Sequence, residues 1–176
     1  MINYKKYVRS NVENTYLFIN KMSTYNWGKS VKRGPITFTP CTLDDEQIKI
    51  LIEDCHVLFT PNVYKGDGTE TRLNLCLQES GSGAIKIEHH ESQLEGDICS
   101  VVKENYIKCK INLNDLSLYD KQNKKVNNSD VDWVNLRCNA IIHIKGKWES
   151  KTQIGLQVDC TDLQILPQNE KLSPFA

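Results

Sequence analysis

Eleven residues between positions 64 and 151 set positive charge beside flat rings: Tyr64 and Lys65, Arg72, Tyr106 with Lys108 and Lys110, Arg137, Lys145, and Lys147 with Trp148 and then Lys151. Cations neutralise phosphate, and aromatic faces stack on unpaired bases at roughly 1–3 kcal/mol per base. These residue types, interleaved on exposed strand faces and turns, are what a single-stranded polyanion with bases requires. The densest case is Lys-Trp-Glu-Ser-Lys at 147–151, which on a hairpin tip sets a ring between two phosphate contacts. The same residues have a plainer reading. Lysines line the wet face of any β protein, and Trp148 can fold back on the core as a plug.

Other chemistries find less support. The carboxylate run Asp44-Asp45-Glu46 reads as the start of an element more readily than as an acid–base pair. His89 and His90 are neighbours whose side chains diverge on a helix, and His56 and His143 fall in strand patterns, so all four read as surface histidines rather than metal ligands. Gly66-Asp67-Gly68 lacks the Lys-Ser/Thr ending and the following helix of a phosphate loop, and reads as a turn. No nucleophile, base and orienting group can be proposed together, so the expectation is a protein that is not an enzyme and takes no cofactor.

The seven cysteines, Cys41, Cys55, Cys76, Cys99, Cys109, Cys138 and Cys160, are odd in number and widely spaced, with no C-x-x-C pair. They read as reduced core thiols, with no zinc and no disulfide framework, in a reducing intracellular compartment.

These residues must be positioned by strands. Gln47–Phe59 carries Ile48, Ile50 and Ile52 in one phase and Cys55, Val57 and Phe59 in the other, so a bulge at Glu53-Asp54 is predicted to bend one long strand. Leu73, Leu75 and Leu77 share one face of a second strand. In the strand Tyr106–Leu113, period two sets Tyr106, Lys108, Lys110 and Asn112 opposite Ile107, Cys109, Ile111 and Leu113. A short strand is predicted at Leu116–Tyr119. A long one turns Leu136, Cys138, Ala140, Ile142 and Ile144 inward and Arg137, Asn139, His143 and Lys145 outward. Two more follow, with Leu156, Val158 and Cys160 in phase, then Leu163 and Ile165 after a break.

Ile36–Pro40 reads as a strand closed by its proline, Asn14–Trp27 as a short helix or irregular packing segment, and Ala84–Asn105 as the one helix. Together these predict a mostly β chain: an OB-like Greek-key barrel of about five to six strands, with one helix and a basic N-terminal arm. A β-sandwich is the rival, disfavoured by strands that are few and long. The expected organisation is an arm at 1–34, a barrel at 35–166 and a tail at 167–176.

At 176 residues, with 39% hydrophobic and 25% charged residues, the chain has a globular composition; no run approaches the length a membrane span needs and the start MINYKKYVRSN lacks the apolar centre of a secretory signal, so an intracellular protein is expected. Its formal net charge is zero, but unevenly spread: +6 over residues 1–34, −8 over 35–104, +2 over 105–166 and 0 over 167–176. A basic leading segment on a neutral chain is compatible with a polyanionic partner and equally with a solvated arm.

The order YIKCKINL, LYDKQNKKV, a strand ending IKGKW, then IGLQVDCTDLQIL resembles the OB-fold single-stranded-DNA-binding proteins of large eukaryotic DNA viruses, relatives of the replication proteins of short-tailed phages. GKW followed by GLQV is the most specific part, FTPNVYKGDGTETRLNLCL also fits, and the resemblance spans about 47–166. It implies sequence-tolerant coating of single-stranded DNA, or RNA, in replication and recombination, without catalysis or cofactor. Tyr106–Leu113 and the tip Lys145–Lys151 would line the groove, and replication proteins or further copies of the chain would be partners. The nearly neutral ending QNEKLSPFA departs from the acidic tail of such proteins, although Phe175 stands one residue from the end. The competing expectation is a non-enzymatic virion or protein-interaction module, in which Tyr16, Phe18, Tyr25, Trp27, Tyr64 and Trp148 would be interface anchors.

Overall fold

The computed structural model describes residues 24–63, 71–79, 81–104 and 106–167. In chain order these form β1 (Tyr25–Trp27), β2 (Val31–Arg33), β3 (Ile36–Leu43), β4 (Ile48–Val57), β5 (Arg72–Gln78), α1 (Gly83–Glu91), β6 (Val102–Lys103), β7 (Tyr106–Asn112), β8 (Ser117–Tyr119), β9 (Arg137–Glu149) and β10 (Ile154–Ile165). Five of the strands close on themselves. β4 pairs with β5, β5 with β7, β7 with β10, β10 with β9, and β9 returns to β4. Around this ring every pairing is antiparallel except β7 with β10, and outside it β8 adds to β10 in parallel. A closed five-stranded Greek-key barrel with its third and fifth strands parallel is the OB arrangement, and closure removes the sandwich alternative.

The alternation seen in the sequence decides what fills the barrel. Ile50, Ile52, Val57, Leu75, Leu77, Ile107, Ile111, Ile142, Ile144 and Leu163 are all nearly or fully buried in one core cluster. Cys41, Cys55, Cys109, Cys138 and Cys160 pack among them as small apolar groups, and all seven cysteines are free thiols. Bending a strand around so small a core needs bulges. β4 shifts register between Ile52 and Cys55, with Asp54 at φ 51°, where the phase change predicted it. β10 shifts twice against β9, and the break after Cys160 is a bulge in one continuous strand rather than the end of one.

Three expectations are corrected. The helix stops at Glu91 instead of running to Asn105, because the Glu91 side chain accepts hydrogen bonds from Ser100 Oγ (2.6 Å) and the Val101 amide (2.7 Å), and Gly96 sits at φ 123°. The chain beyond the helix turns back to pair with the start of β10, Cys99 N donating to Ile154 O at 2.7 Å, and then supplies β6. The apolar spacing of Leu94, Ile98 and Val101 therefore reports loop packing and not a helical stripe. Helix α1 has no Ser82 side-chain cap. Instead the Glu79 carboxylate accepts from the Gly83 and Ala84 amides, and Ile87 plugs the barrel end.

β3 also runs on through Pro40 to Leu43. The proline sits where β3 passes from pairing with β9 to pairing with β1, and its carbonyl still accepts from the Gly28 amide at 2.9 Å. Finally, Tyr25–Trp27 is a strand: β1 and β2 both pair with β3, so this part of the basic segment is built into the sheet. The expectations for 1–23, 64–70 and 168–176 lie outside the described residues.

Where β3 crosses β9, Gly146 stands at φ 154°, and a Cβ there would meet the Thr39 carbonyl oxygen at 2.2 Å. Both the dihedral and the contact exclude a side chain. Gly146→Ala is expected to lose about 1–3 kcal/mol of stability, read as a lower urea midpoint with an unchanged slope.

Candidate nucleic-acid interface

Because the inward phase is fixed by the core, the outward phase is fixed too. On β5 it carries Arg72, Asn74, Cys76 and Gln78; on β7, Tyr106, Lys108, Lys110 and Asn112; on β10, Gln157 and Asp159; on β9, Lys145 and His143, the last covered by its neighbours. Cross-strand register then aligns a belt around the barrel. Lys49 on β4 stands opposite His143, His143 opposite Asp159, Asp159 beside Lys110, and Lys110 opposite Asn74.

Arg72 reaches across to Asp159 with Nη2 2.8 Å from Oδ1, and Lys110 Nζ donates to Asn74 Oδ1 at 2.5 Å. Arg72, Lys110 and Lys145 all act electrostatically on Asp159. Among the described residues, Lys108, Lys110 and Lys145 form no ion pair within 4 Å. On β5, β7, β9 and β10 the result is four cations, Arg72, Lys108, Lys110 and Lys145, around the single carboxylate of Asp159, with Lys49 a fifth cation at the β4 end of the belt.

The electrostatics show how crowded the belt is. Partial burial, then Lys108 and Arg72, lower the Lys110 pKa, whereas burial raises that of Asp159 against the pull of its cations. His143 is buried and held down to about 4 by desolvation and by Lys145 and Lys49. His90 is held near 4 by desolvation and His89, and is hydrogen-bonded through Nδ1 to the Tyr25 hydroxyl, itself raised to about 12 by burial. Both histidines are therefore less solvated than the surface positions expected for them.

Their folded pKa values lie below the ordinary 6.5. The stability they contribute is complete above about pH 6.5 and is lost as pH falls toward 4. Asp159, shifted upward, opposes this slightly. The urea midpoint is expected to be lower at pH 5 than at pH 7, and His90→Gln with His143→Gln should flatten that dependence.

The β9–β10 hairpin tip differs from the expectation of a ring between two phosphate contacts. Consecutive residues of a strand point to opposite faces. Lys147 lies in register with Leu156 and Thr39, on the side that continues the barrel interior, whereas Trp148 lies with Gly155 and Phe38 on the outer side. Lys147 Nζ sits 5.0 Å from the Trp27 ring centroid, and Trp27 also stacks on Tyr25, with centroids 5.9 Å apart. Lys151 is exposed in the turn, which Ser150 closes by accepting from the Gln153 amide.

Trp148 is half-buried across Gly155, where a Cβ would come within 2.8 Å of Cζ2; only glycine leaves room for the ring. Its register partner Phe38 is covered by the Arg33 guanidinium at 4.4 Å. Gly155, Gln157 and Asp159 alternate along β10, so Trp148 shares the outer face with the cation belt.

The remaining residues divide. Tyr106 is on the outward phase of β7 but lines a depression with Glu79, Glu88 and Glu104, a poor setting for phosphate. Arg137 stands eight residues before Lys145, about 26 Å along the strand. There its guanidinium is bidentate to Asp54 (2.5 and 2.8 Å) and donates to the Pro167 carbonyl. That pair holds the Asp54 carboxyl below its ordinary pKa. Tyr64 and Lys65 lie outside the described residues. Thus Arg72, Lys108, Lys110, Lys145 and Trp148 come together, and Tyr106, Arg137 and Lys147 do not join them.

Sequence reasoning passed over Lys49, Asn74, Phe38, Gln157 and Asp159. The outward phase was available for several: Lys49 separates Ile48 from Ile50, and Asp159 separates Val158 from Cys160. Which outward residues meet across strands depends on register, and no local signal carries it.

Among the described residues, no cluster of three His, Cys, Asp or Glu side chains is placed to hold a metal, and no helix is long and apolar enough to cross a membrane. No protein-family model matches the chain, and no curated protein matches it in sequence. Its fold is similar to that of the single-stranded DNA-binding protein from bacteriophage Enc34, solved in complex with ssDNA. The TM-score is 0.50 at 11% identity, covering 84% of this chain and 99% of that one. A C-terminal truncation of the same phage protein gives a TM-score of 0.51 at 10% identity, covering 82% and 97%. At such identity the likeness establishes a shared fold, mostly β around an OB barrel.

Proposed function

We propose that the chain binds single-stranded DNA, without catalysis and largely without regard to sequence, along the outer face of β5, β7, β10 and β9. The observation that carries this reading is the convergence of Arg72, Lys108, Lys110 and Lys145 on one barrel face that also holds Trp148. Support comes from the fold shared with a phage protein whose structure contains ssDNA. The narrower assignment, to the single-stranded-DNA-binding proteins of large eukaryotic DNA viruses acting in replication and recombination, rests on the GKW and GLQV elements. Action in a reducing intracellular compartment fits seven free thiols. The interaction-module reading is weakened because Trp27 and Tyr25, two of its anchors, are engaged by Lys147 and His90.

Fluorescence anisotropy with a labelled oligo-thymidine tests the proposal. If the four cations each meet a phosphate, log K against log salt has a slope of roughly −3 for a single strand, so affinity falls about 50-fold between 50 and 200 mM salt. Duplex of equal length should bind more weakly, since its bases offer no stacking face. Absence of salt-sensitive binding to the single strand refutes the reading.

A further inference from the structure

A phosphate-binding face has no evident use for a carboxylate at its centre, yet Asp159 is there. Its outward phase is dictated by Val158 and Cys160 turning into the core, and it is reached from every strand around it. Arg72 comes from β5 at 2.8 Å, Lys110 stands beside it on β7, and His143 and Lys145 approach from β9. The pair is lopsided in exposure: the Asp159 side chain is 18% accessible and that of Arg72 is 49%. The carboxylate lies low in the sheet, where Gln157 also hydrogen-bonds to it, and the half-exposed guanidinium lies over it. Lys110 has its own support in Asn74, so Arg72 is the cation whose orientation depends most on Asp159.

We propose that Asp159 is a built-in surrogate for a nucleic-acid phosphate: it holds Arg72 over the face in the free protein and yields it to a phosphate of the incoming strand. A carboxylate and a phosphate present the same paired oxygens to a guanidinium, so Arg72 exchanges one partner for another. This rests on the single-stranded DNA reading above. It makes Asp159 a limiter of affinity: each binding event must break an existing ion pair, and each release is helped by its re-formation. The strand is held on a face whose field is lowered by one charge, which suits a protein that must be displaced.

Oligo-thymidine anisotropy on the full chain, for the wild type, Asp159→Asn, Asp159→Glu, Arg72→Ala and the double variant Arg72→Ala with Asp159→Asn, tests the inference, with urea unfolding alongside. Asp159→Asn is expected to bind about three- to tenfold tighter, because Arg72 reaches the same phosphate without first giving up an ion pair, and the number of phosphate contacts stays the same. Asp159→Glu, which keeps the charge, should not gain. Arg72→Ala should cost more affinity when combined with Asp159→Asn than it does in the wild type. If Asp159→Asn folds and binds no tighter, the carboxylate is structural and the inference is wrong.

Should Asp159→Asn fail to fold, the wild type still decides the matter. The Asp159 carboxyl carbon-13 titration midpoint should rise when oligo-thymidine removes its guanidinium, and an unmoved midpoint overturns the inference. In either case salt-sensitive binding by the wild type leaves the broader function standing. Its absence removes both.

Discussion

Lys110→Glu combined with Lys145→Glu is expected to reduce affinity for oligo-thymidine at least 100-fold at low salt and to halve the salt slope. The two lysines flank Asp159 from opposite strands, and neither is in an ion pair among the described residues. Losing two charge-assisted phosphate contacts at about 1.5–3 kcal/mol each already exceeds 100-fold, and the new carboxylates add repulsion. Because the chain starts from zero formal charge, a four-unit change could act through the overall field alone. Lys121→Glu with Lys124→Glu makes the same change in the exposed turn after β8. That variant should lose far less, and an equal loss would mean that position on the barrel is irrelevant.

Trp148→Ala is expected to have the second largest effect, on two readouts. Loss of one stacking surface predicts weakening by about 1–3 kcal/mol, or roughly 5- to 150-fold. Since the ring also roofs Gly155 and neighbours Phe38, the urea midpoint should fall as well. Trp148→Phe separates these roles by keeping an aromatic face of smaller area. It should recover most of the binding and only part of the stability. A variant that loses stability but binds normally would make Trp148 a plug and nothing more.

How much of this was legible in the sequence depended on whether a feature is local. The barrel strands were readable because each carries its own period-two record of inside and outside, and the bulge at Ile52–Cys55 was readable because it inverts that record within one strand. The truncated helix was not. Glu91 is claimed by Ser100 and Val101 in three dimensions, and the apolar residues after it keep a spacing that a packed loop satisfies equally well. The candidate site divides in the same way. Arg72, Lys108, Lys110 and Lys145 could be selected by phase, but the partners that qualify them are set by register: Asp159 for Arg72, Asp54 for Arg137, Trp27 for Lys147. Composition marked all eight of the basic residues alike, and only cross-strand geometry distinguishes those left facing solvent from those already engaged.

The central claim is a location, and amide chemical-shift mapping of isotope-labelled protein during titration with oligo-thymidine tests it most directly. The account predicts the largest shifts at Arg72–Cys76, Lys108–Asn112, Lys145–Trp148 and Gly155–Asp159, with little change at Arg137 or in the Lys121–Lys125 turn. Shifts concentrated on that turn, or around Arg137 and Asp54, would contradict it.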